Sequence, residues 1–302
     1  MIDSRLLRIA IISAAENIRR HTEEVNNINV FPVPDGDTGT NLAMTLSGCA
    51  KAVEDYPEMG AGEFADRAAG ALFRCARGNS GVIFSLLFKG FAKSVQGLDV
   101  IDADALAAAL EAACDEAYAA IEKPMEGTML TVIRLAASKA RSAALKGKSA
   151  QETFAAALSG AKASLKSTPN LLPELKKHGV VDAGGQGLVY IMEGMLNAKI
   201  TDNYVENITS KRKNVVNDNI RFIYCTEFLI NNPQNYDINS LRRYFSDIGD
   251  CPAVAEHSGI IKIHVHTNSP DKALAKGVEI GELTDIKIDN MKYQAQSLSI
   301  GV

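Results

Sequence analysis

The chain has 302 residues and a formal net charge of −4, with 46% hydrophobic and 23% charged residues, which is enough chain for two domains and an ordinary balance for a cytoplasmic globular protein. That charge excludes a typical nucleic-acid binder, since the clearest basic run, Lys211-Arg212-Lys213, sits in a polar stretch and reads as solvated. No apolar run approaches the roughly 20 residues an integral membrane span needs, and Arg8, Glu16, Arg19 and Arg20 interrupt the N-terminal segment, so no signal-peptide core is expected either. Five scattered cysteines do not make a disulfide framework, which points to a reducing compartment.

From the N-terminus onward, alanine and leucine recur in helical patterns over Leu6–Val25, Leu42–Val53, Phe64–Cys75, Val82–Val95, Ala105–Ile121, Leu130–Leu145, Phe154–Leu165 and Leu188–Leu196. Val82, Ile83, Leu86, Leu87, Phe91 and Val95 show the spacing that gives one buried face. Residues 1–202 therefore read as an all-α domain, and its short connections favour antiparallel neighbours in a bundle or helical barrel. A polar linker is expected at 203–219. Beyond it, residues 220–302 change to β-branched texture: strand Arg221–Ile230, helix Ile238–Ile248, strands Ala253–Glu256 and Ile260–Thr267, helix Asp271–Ile280, strand Asp285–Ile288. That β-α-β-β-α-β order predicts a smaller ferredoxin-like α/β sandwich, with His257-Ser258-Gly259 at the hairpin.

The chemistry concentrates in the stretch Asn29-Val30-Phe31-Pro32-Val33-Pro34-Asp35-Gly36-Asp37-Thr38-Gly39-Thr40-Asn41. Pro32 and Pro34 stiffen the approach, and Gly36 permits the turn that lets Asp35 and Asp37 face one cation. Carboxylate oxygens are the ligands Mg²⁺ prefers, and Thr38, Gly39, Thr40 and Asn41 supply hydroxyls, N–H groups and a cap at a helix start, a natural anion site. An Asp-rich loop that merely caps a helix has the same spacing. No Gly-x-x-x-x-Gly-Lys-Ser/Thr loop exists in the chain, so phosphate chemistry would run on metals and backbone.

The whole string resembles the signature of the dihydroxyacetone kinase L-type nucleotide domain in its fatty-acid-kinase variant. The resemblance implies an eight-helix barrel with ATP at one end, and Asp35 and Asp37 holding two Mg²⁺ ions across the phosphates. The family's third Asp falls at Val30 here, leaving Asn29 or water as the third ligand. Arg77-Gly78-Asn79-Ser80-Gly81 resembles the second phosphate loop, though a plain helix–helix turn looks similar. Glu126-Gly127-Thr128-Met129-Leu130 matches nucleotide-contacting residues, with Thr128 a polar contact and Met129 an adenine wall or simply core. Val181-Asp182-Ala183-Gly184-Gly185-Gln186-Gly187 resembles the closing loop, where Asp182 contacts nucleotide with Gly184 and Gly185 or only caps a helix.

The second domain resembles the middle domain of the same kinase through Tyr224-Cys225-Thr226-Glu227-Phe228, Lys262-Ile263-His264-Val265-His266-Thr267-Asn268 and Gly281-Glu282-Leu283. His264 and His266 share one strand face, and Cys225 sits on an element that could pair beside it. A thiolate and two imidazoles suit Zn²⁺, with Cys251 or His257 as a fourth ligand, while the same residues also suit a hydrogen-bonded face beside an inert Cys. The resemblance implies a metal or activity-linked cluster. It further implies an ATP-dependent phosphotransferase that phosphorylates the carboxylate of a fatty acid held by a separate fatty-acid-binding protein, giving acyl-phosphate for phospholipid synthesis. Self-association into a homodimer is a further partner state, and the family's C-terminal domain is not found before Val302. The alternatives are a dihydroxyacetone-type kinase component that phosphorylates a small carbonyl compound or phospho-carrier, and a non-catalytic nucleotide-binding scaffold.

Overall fold

Alanine at the helix contacts of the first domain lets backbones approach closely, and closed packing of many helices follows. The computed structural model describes residues 1–198 and 221–293; the expected linker at 203–219, with the domain boundaries at its ends, lies outside the described residues. Those residues divide into two units, 1–31 with 36–119 and 124–198, and 32–35 with 120–123 and 221–293.

The first unit contains α1 (Ser4–Arg20), α2 (Thr22–Asn27), α3 (Thr38–Glu54), α4 (Ala61–Cys75), α5 (Gly78–Ser94), α6 (Ala103–Ala120), α7 (Met129–Ala144), α8 (Ala150–Leu171), α9 (Pro173–His178) and α10 (Ala183–Leu196). Helices α2 and α9 are six-residue connectors. The other eight each overlap one expected from periodicity, although the expected Leu6–Val25 breaks at His21 into α1 and α2, and caps such as Asp3, which accepts the Leu6 N–H at 2.8 Å, and the Ser149–Glu152 capping box set helix starts ahead of the apolar repeat.

Packing runs α1 on α3, α3 on α4 and α4 on α5, then α7 on α8, α8 on α10 and α10 back on α1. Helix α6 closes the gap between α5 and α7. Its Glu116 pairs with Lys89 at 2.8 Å and Lys93 at 3.1 Å, and its Glu111 pairs with Arg141 at 2.5 Å. Short connections make successive long helices antiparallel, and an even number of them closes a ring without a parallel pair. The interior is apolar, with Ile11, Phe84, Leu87, Leu106, Ile133 and Ile191 around a cavity of about 410 Å³.

The second unit contains β1 (Tyr224–Asn231), α11 (Ile238–Ile248), β2 (Gly249–His257), β3 (Ile260–Thr267), α12 (Pro270–Val278) and β4 (Glu282–Asn290). Its antiparallel sheet has the order β2-β3-β1-β4, the ferredoxin-like arrangement expected from element order. One face, built by Phe228, Ile230, Val254, Ile261, Ile263 and Val265, packs on Leu241 and Phe245 of α11 and Ala273 of α12. Ser258 and Gly259, at φ 49° and 72°, make the two-residue turn between β2 and β3. The β2–β3 register shifts between Asp250 and Ala253, and Cys251 in that bulge has φ 51°.

Ring closure depends on Gly90, because a Cβ there would stand 2.3 Å from the Ala112 carbonyl oxygen of α6, a backbone atom that cannot swing away. Gly90→Ala should therefore force α5 and α6 apart and cost about 1–3 kcal/mol, read as a lower urea midpoint at unchanged slope. An unshifted midpoint would contradict the close approach.

Candidate nucleotide and metal sites

Between Asp35 and Asp37, Gly36 adopts φ 67°, the left-handed conformation that reverses the chain after two prolines. Asp35 is buried, and Asp37 occupies the N-cap position of α3 without making a side-chain cap bond. The caps come from upstream instead. Asn26 Oδ1 accepts the Gly39 N–H at 2.7 Å and the Thr40 N–H at 3.1 Å, and its amide donates to Thr40 Oγ1 at 3.0 Å. Asn29 Oδ1 accepts the Thr38 N–H at 3.0 Å and also the Thr38 hydroxyl.

The Asn29 oxygen accepts twice from Thr38, so Asn29 braces the Asp loop. The N–H groups of Thr38, Gly39 and Thr40 are given to asparagine side chains rather than left to a phosphate. Asn26 carries little signal in the sequence. It belongs to an Asn-Asn pair some way before a helix start, and a cap contributed from 13 residues away leaves no local pattern.

The remaining loops meet this one at the same end of the helical ring. Gly78, at φ 58°, lies against Asn41, where a Cβ would come within 2.2 Å of Asn41 Nδ2. The Arg77 N–H donates to Thr45 Oγ1 at 3.0 Å, which in turn donates to the Asn41 carbonyl at 2.7 Å, fixing the start of α5 on the first turns of α3. Gly187 approaches Leu42, joining the starts of α10 and α3. Asp182 accepts the Gly185 N–H at 2.6 Å and the Met129 N–H, joining the starts of α10 and α7. The N-termini of α3, α5, α7 and α10 thus share one end, each preceded by one of the four loops singled out in the sequence.

Asn79 and Ser80 sit in the first turn of α5, beside buried Gly81. Met129 is only 2% exposed and its methyl group lies beside Gly184, which gives it a packing role between α7 and α10. The Thr128 hydroxyl donates to the Met125 carbonyl at 2.7 Å, and the N–H of Gly127, at φ 87°, donates to Thr131 Oγ1 at 2.8 Å. Glu126 accepts from Thr131 at 2.6 Å and from Arg134 at 2.7 Å, so this loop is braced by its own helix.

Burial pushes the Asp182 carboxyl up to about 7, against the pull of the two N–H groups it accepts. A carboxyl raised in the fold binds more protons folded than unfolded between about pH 4 and 7, so its contribution to stability is full at low pH and is lost as pH rises through about 7. Asp182→Asn should flatten that slope while keeping an acceptor for Gly185. Thermal midpoints of both proteins from about pH 5 to 8 should converge at the acid end and separate at the alkaline end, with the variant higher. Parallel curves would mean that Asp182 is ionised throughout.

In the sheet, one ligand atom each from Cys225, His264 and His266 lies within 4.8 Å of the others, and Asp250, Cys251 and His266 form a second such group. Cys251 thus reaches the cluster. His257 does not, because it pairs with Ile260 at the hairpin while His264 pairs with Ala253, four positions along, or roughly 13 Å. Glu227, which no spacing marks for this site, faces His264 across the strands and accepts from its Nδ1 at 2.9 Å.

Residues 32–197 match the DAK2 domain model, and residues 221–298 match the model of the FakA-like middle domain of fatty acid kinase. An uncharacterized protein of Staphylococcus saprophyticus is 39% identical over 97% of this chain and 56% of its own length. Protein YloV of Bacillus subtilis is 37% identical over 98% and 57%. The chain therefore spans about half the length of the curated relatives it matches. Among solved structures, the dihydroxyacetone kinase of C. freundii, in complex with AMP-PNP and Mg²⁺, aligns at 18% identity and TM-score 0.47 over 65% of this chain and 33% of that one. With the helical unit and the sheet unit each matched in turn, the chain belongs to the DAK2-domain family and couples that domain to a FakA-like middle domain.

Proposed function

We propose that this chain supplies the ATP site and middle domain of a kinase that phosphorylates the carboxylate of a fatty acid presented by a separate fatty-acid-binding protein. The observation that supports this reading is the convergence of four helix N-termini behind the loops at 35–41, 77–81, 126–130 and 181–187. Each N-terminus contributes partial positive charge, so four together favour a polyphosphate. The donor set at Asp35 and Asp37 is all oxygen and doubly anionic, which fits Mg²⁺. Asp35 and Asp37 would hold Mg²⁺, which would supply charge neutralisation for the phosphates of a bound nucleotide.

The chain's own residues do the positioning. Asn26 and Asn29 hold the Asp loop in one conformation through five hydrogen bonds to Thr38, Gly39 and Thr40. Gly78 and Gly81 bring the α5 backbone close to the same end, and Asp182 fixes α7 against α10. Phosphoryl transfer needs placement and charge compensation more than a protein nucleophile, and this arrangement offers both. The fatty-acid carboxylate as acceptor is favoured by the middle-domain match, which a dihydroxyacetone-type kinase would not require.

The same reading gives the middle domain one Zn²⁺, held by Cys225, His264 and His266. The residues fit it on two counts. Two imidazoles and a thiolate select zinc over Mg²⁺ or Ca²⁺, and His264 Nε2 is a buried ring nitrogen with no hydrogen-bond partner, which a cation would satisfy. Three protein ligands leave a fourth position for Cys251 or an exogenous oxygen.

Asp35→Asn and Asp37→Asn should each lower Mg²⁺-dependent acyl-phosphate formation by at least about 100-fold in the reconstituted system with a fatty-acid-binding protein. Circular dichroism should be unchanged, since neither side chain belongs to the helical core. Wild-type turnover in either variant would overturn the assignment of the metal ligands. ATP consumption that is indifferent to the acyl-binding protein would overturn the acceptor.

A further inference from the structure

We propose that Glu227 is the positioning carboxylate of the zinc site, fixing the tautomer and ring orientation of His264 from outside the ligand set; this rests on the zinc reading of Cys225, His264 and His266. The register places these groups together. His266 on β3 pairs with Cys225 on β1 and with Asp250 on β2, and His264 pairs with Glu227. Directly opposed residues in antiparallel strands share a face, and residues two apart on one strand do as well. All five therefore lie on the face opposite Phe228, Ile263 and Val265, which pack on the helices.

Glu227 Oε1 is 2.9 Å from His264 Nδ1 and hydrogen-bonded to it, whereas Asp250 Oδ1, 3.4 Å from His266 Nδ1, makes no hydrogen bond there. A carboxylate that accepts the Nδ1 proton leaves Nε2 with its lone pair and makes that nitrogen a better ligand. The unsatisfied His264 Nε2, in a residue only 1% exposed, is the atom such an arrangement prepares. Cys225 Sγ lies 3.8 Å from His264 Nδ1, on the side of the ring that meets Glu227. Glu227 is itself 2% exposed, and a buried carboxylate without a task at that position would be replaced at little loss by an apolar residue of the sheet.

Titration of metal-stripped, tag-free protein with Co²⁺ and competition with Zn²⁺ tests both layers. The wild type should give tetrahedral visible bands and a thiolate-to-cobalt charge-transfer band, the latter lost in Cys225→Ser. Glu227→Gln should keep one metal per chain but weaken zinc binding by about 10–100-fold, with unchanged circular dichroism. Nitrogen-15 spectra of the metal-free wild type should show His264 with its proton on Nδ1, and Glu227→Ala should shift that tautomer and weaken zinc binding together. Wild-type affinity in Glu227→Gln, or an unchanged tautomer in Glu227→Ala, would overturn the positioning role while leaving the ligand set standing. A wild type that binds no zinc and gives no thiolate band would overturn the ligand set and the positioning role together. These readouts involve no ATP turnover, so they stand or fall independently of the kinase reading.

Discussion

Antiparallel closure of the helical ring is the constraint on which the first unit depends, because it decides where the helix ends go. In a closed ring of eight alternating helices, α3, α5, α7 and α10 must start at one end, and that end collects their partial positive charge. Four loops far apart in sequence become neighbours for that reason alone. No basic cluster is needed to attract a polyphosphate, and none of the four loops contributes a lysine. Close approach is the means of closure: Gly90 against Ala112, Gly194 against Ala14 and Gly187 against Leu42 are contacts that a larger residue would hold open.

The same geometry explains the asparagines. A helix start aimed at a highly charged ligand gains from having its first N–H groups satisfied by neutral acceptors, because an acidic cap would compete electrostatically with phosphate. Asn26 and Asn29 fill that role for α3, and Asp37 makes no side-chain cap bond although it occupies the cap position. At α10, by contrast, the cap is Asp182, whose burial raises it toward the neutral form. Both devices place a negligible or reduced negative charge next to the helix ends while still completing their hydrogen bonds.

Much of this is legible in the sequence wherever the signal is local or periodic. Eight apolar repeats of helical spacing correspond to eight long helices, and β-α-β-β-α-β corresponds to the sheet order β2-β3-β1-β4. The positive-φ glycines at 36, 78 and 127 fall in the loops that composition marks. Partnership at a distance is what the sequence hides. Asn29 and Thr38 are nine residues apart and Glu227 and His264 thirty-seven, so neither pairing leaves a spacing to read, and periodicity cannot tell a metal ligand from a strut. His257 illustrates the converse error, since its proximity in sequence to the cluster is undone by the hairpin register.

The sheet poses a different energetic problem from the ring. Its helix-facing side is a conventional apolar layer, but the other side buries Glu227, Lys262, His264 and His266, each at 5% exposure or less. Removing ionisable groups from water costs several kcal/mol apiece unless they are paired, and a sheet built only for stability would place valine or isoleucine at such positions. The Glu227–His264 pair offsets part of that cost by a 2.9 Å contact, yet leaves His264 Nε2 unsatisfied. The bulge that carries Cys251 at φ 51° adds backbone strain beside the same cluster. A strained bulge, a buried carboxylate–imidazole pair and an unsatisfied ring nitrogen on one face each carry a cost to the fold, which sets this face apart from the apolar layer behind it.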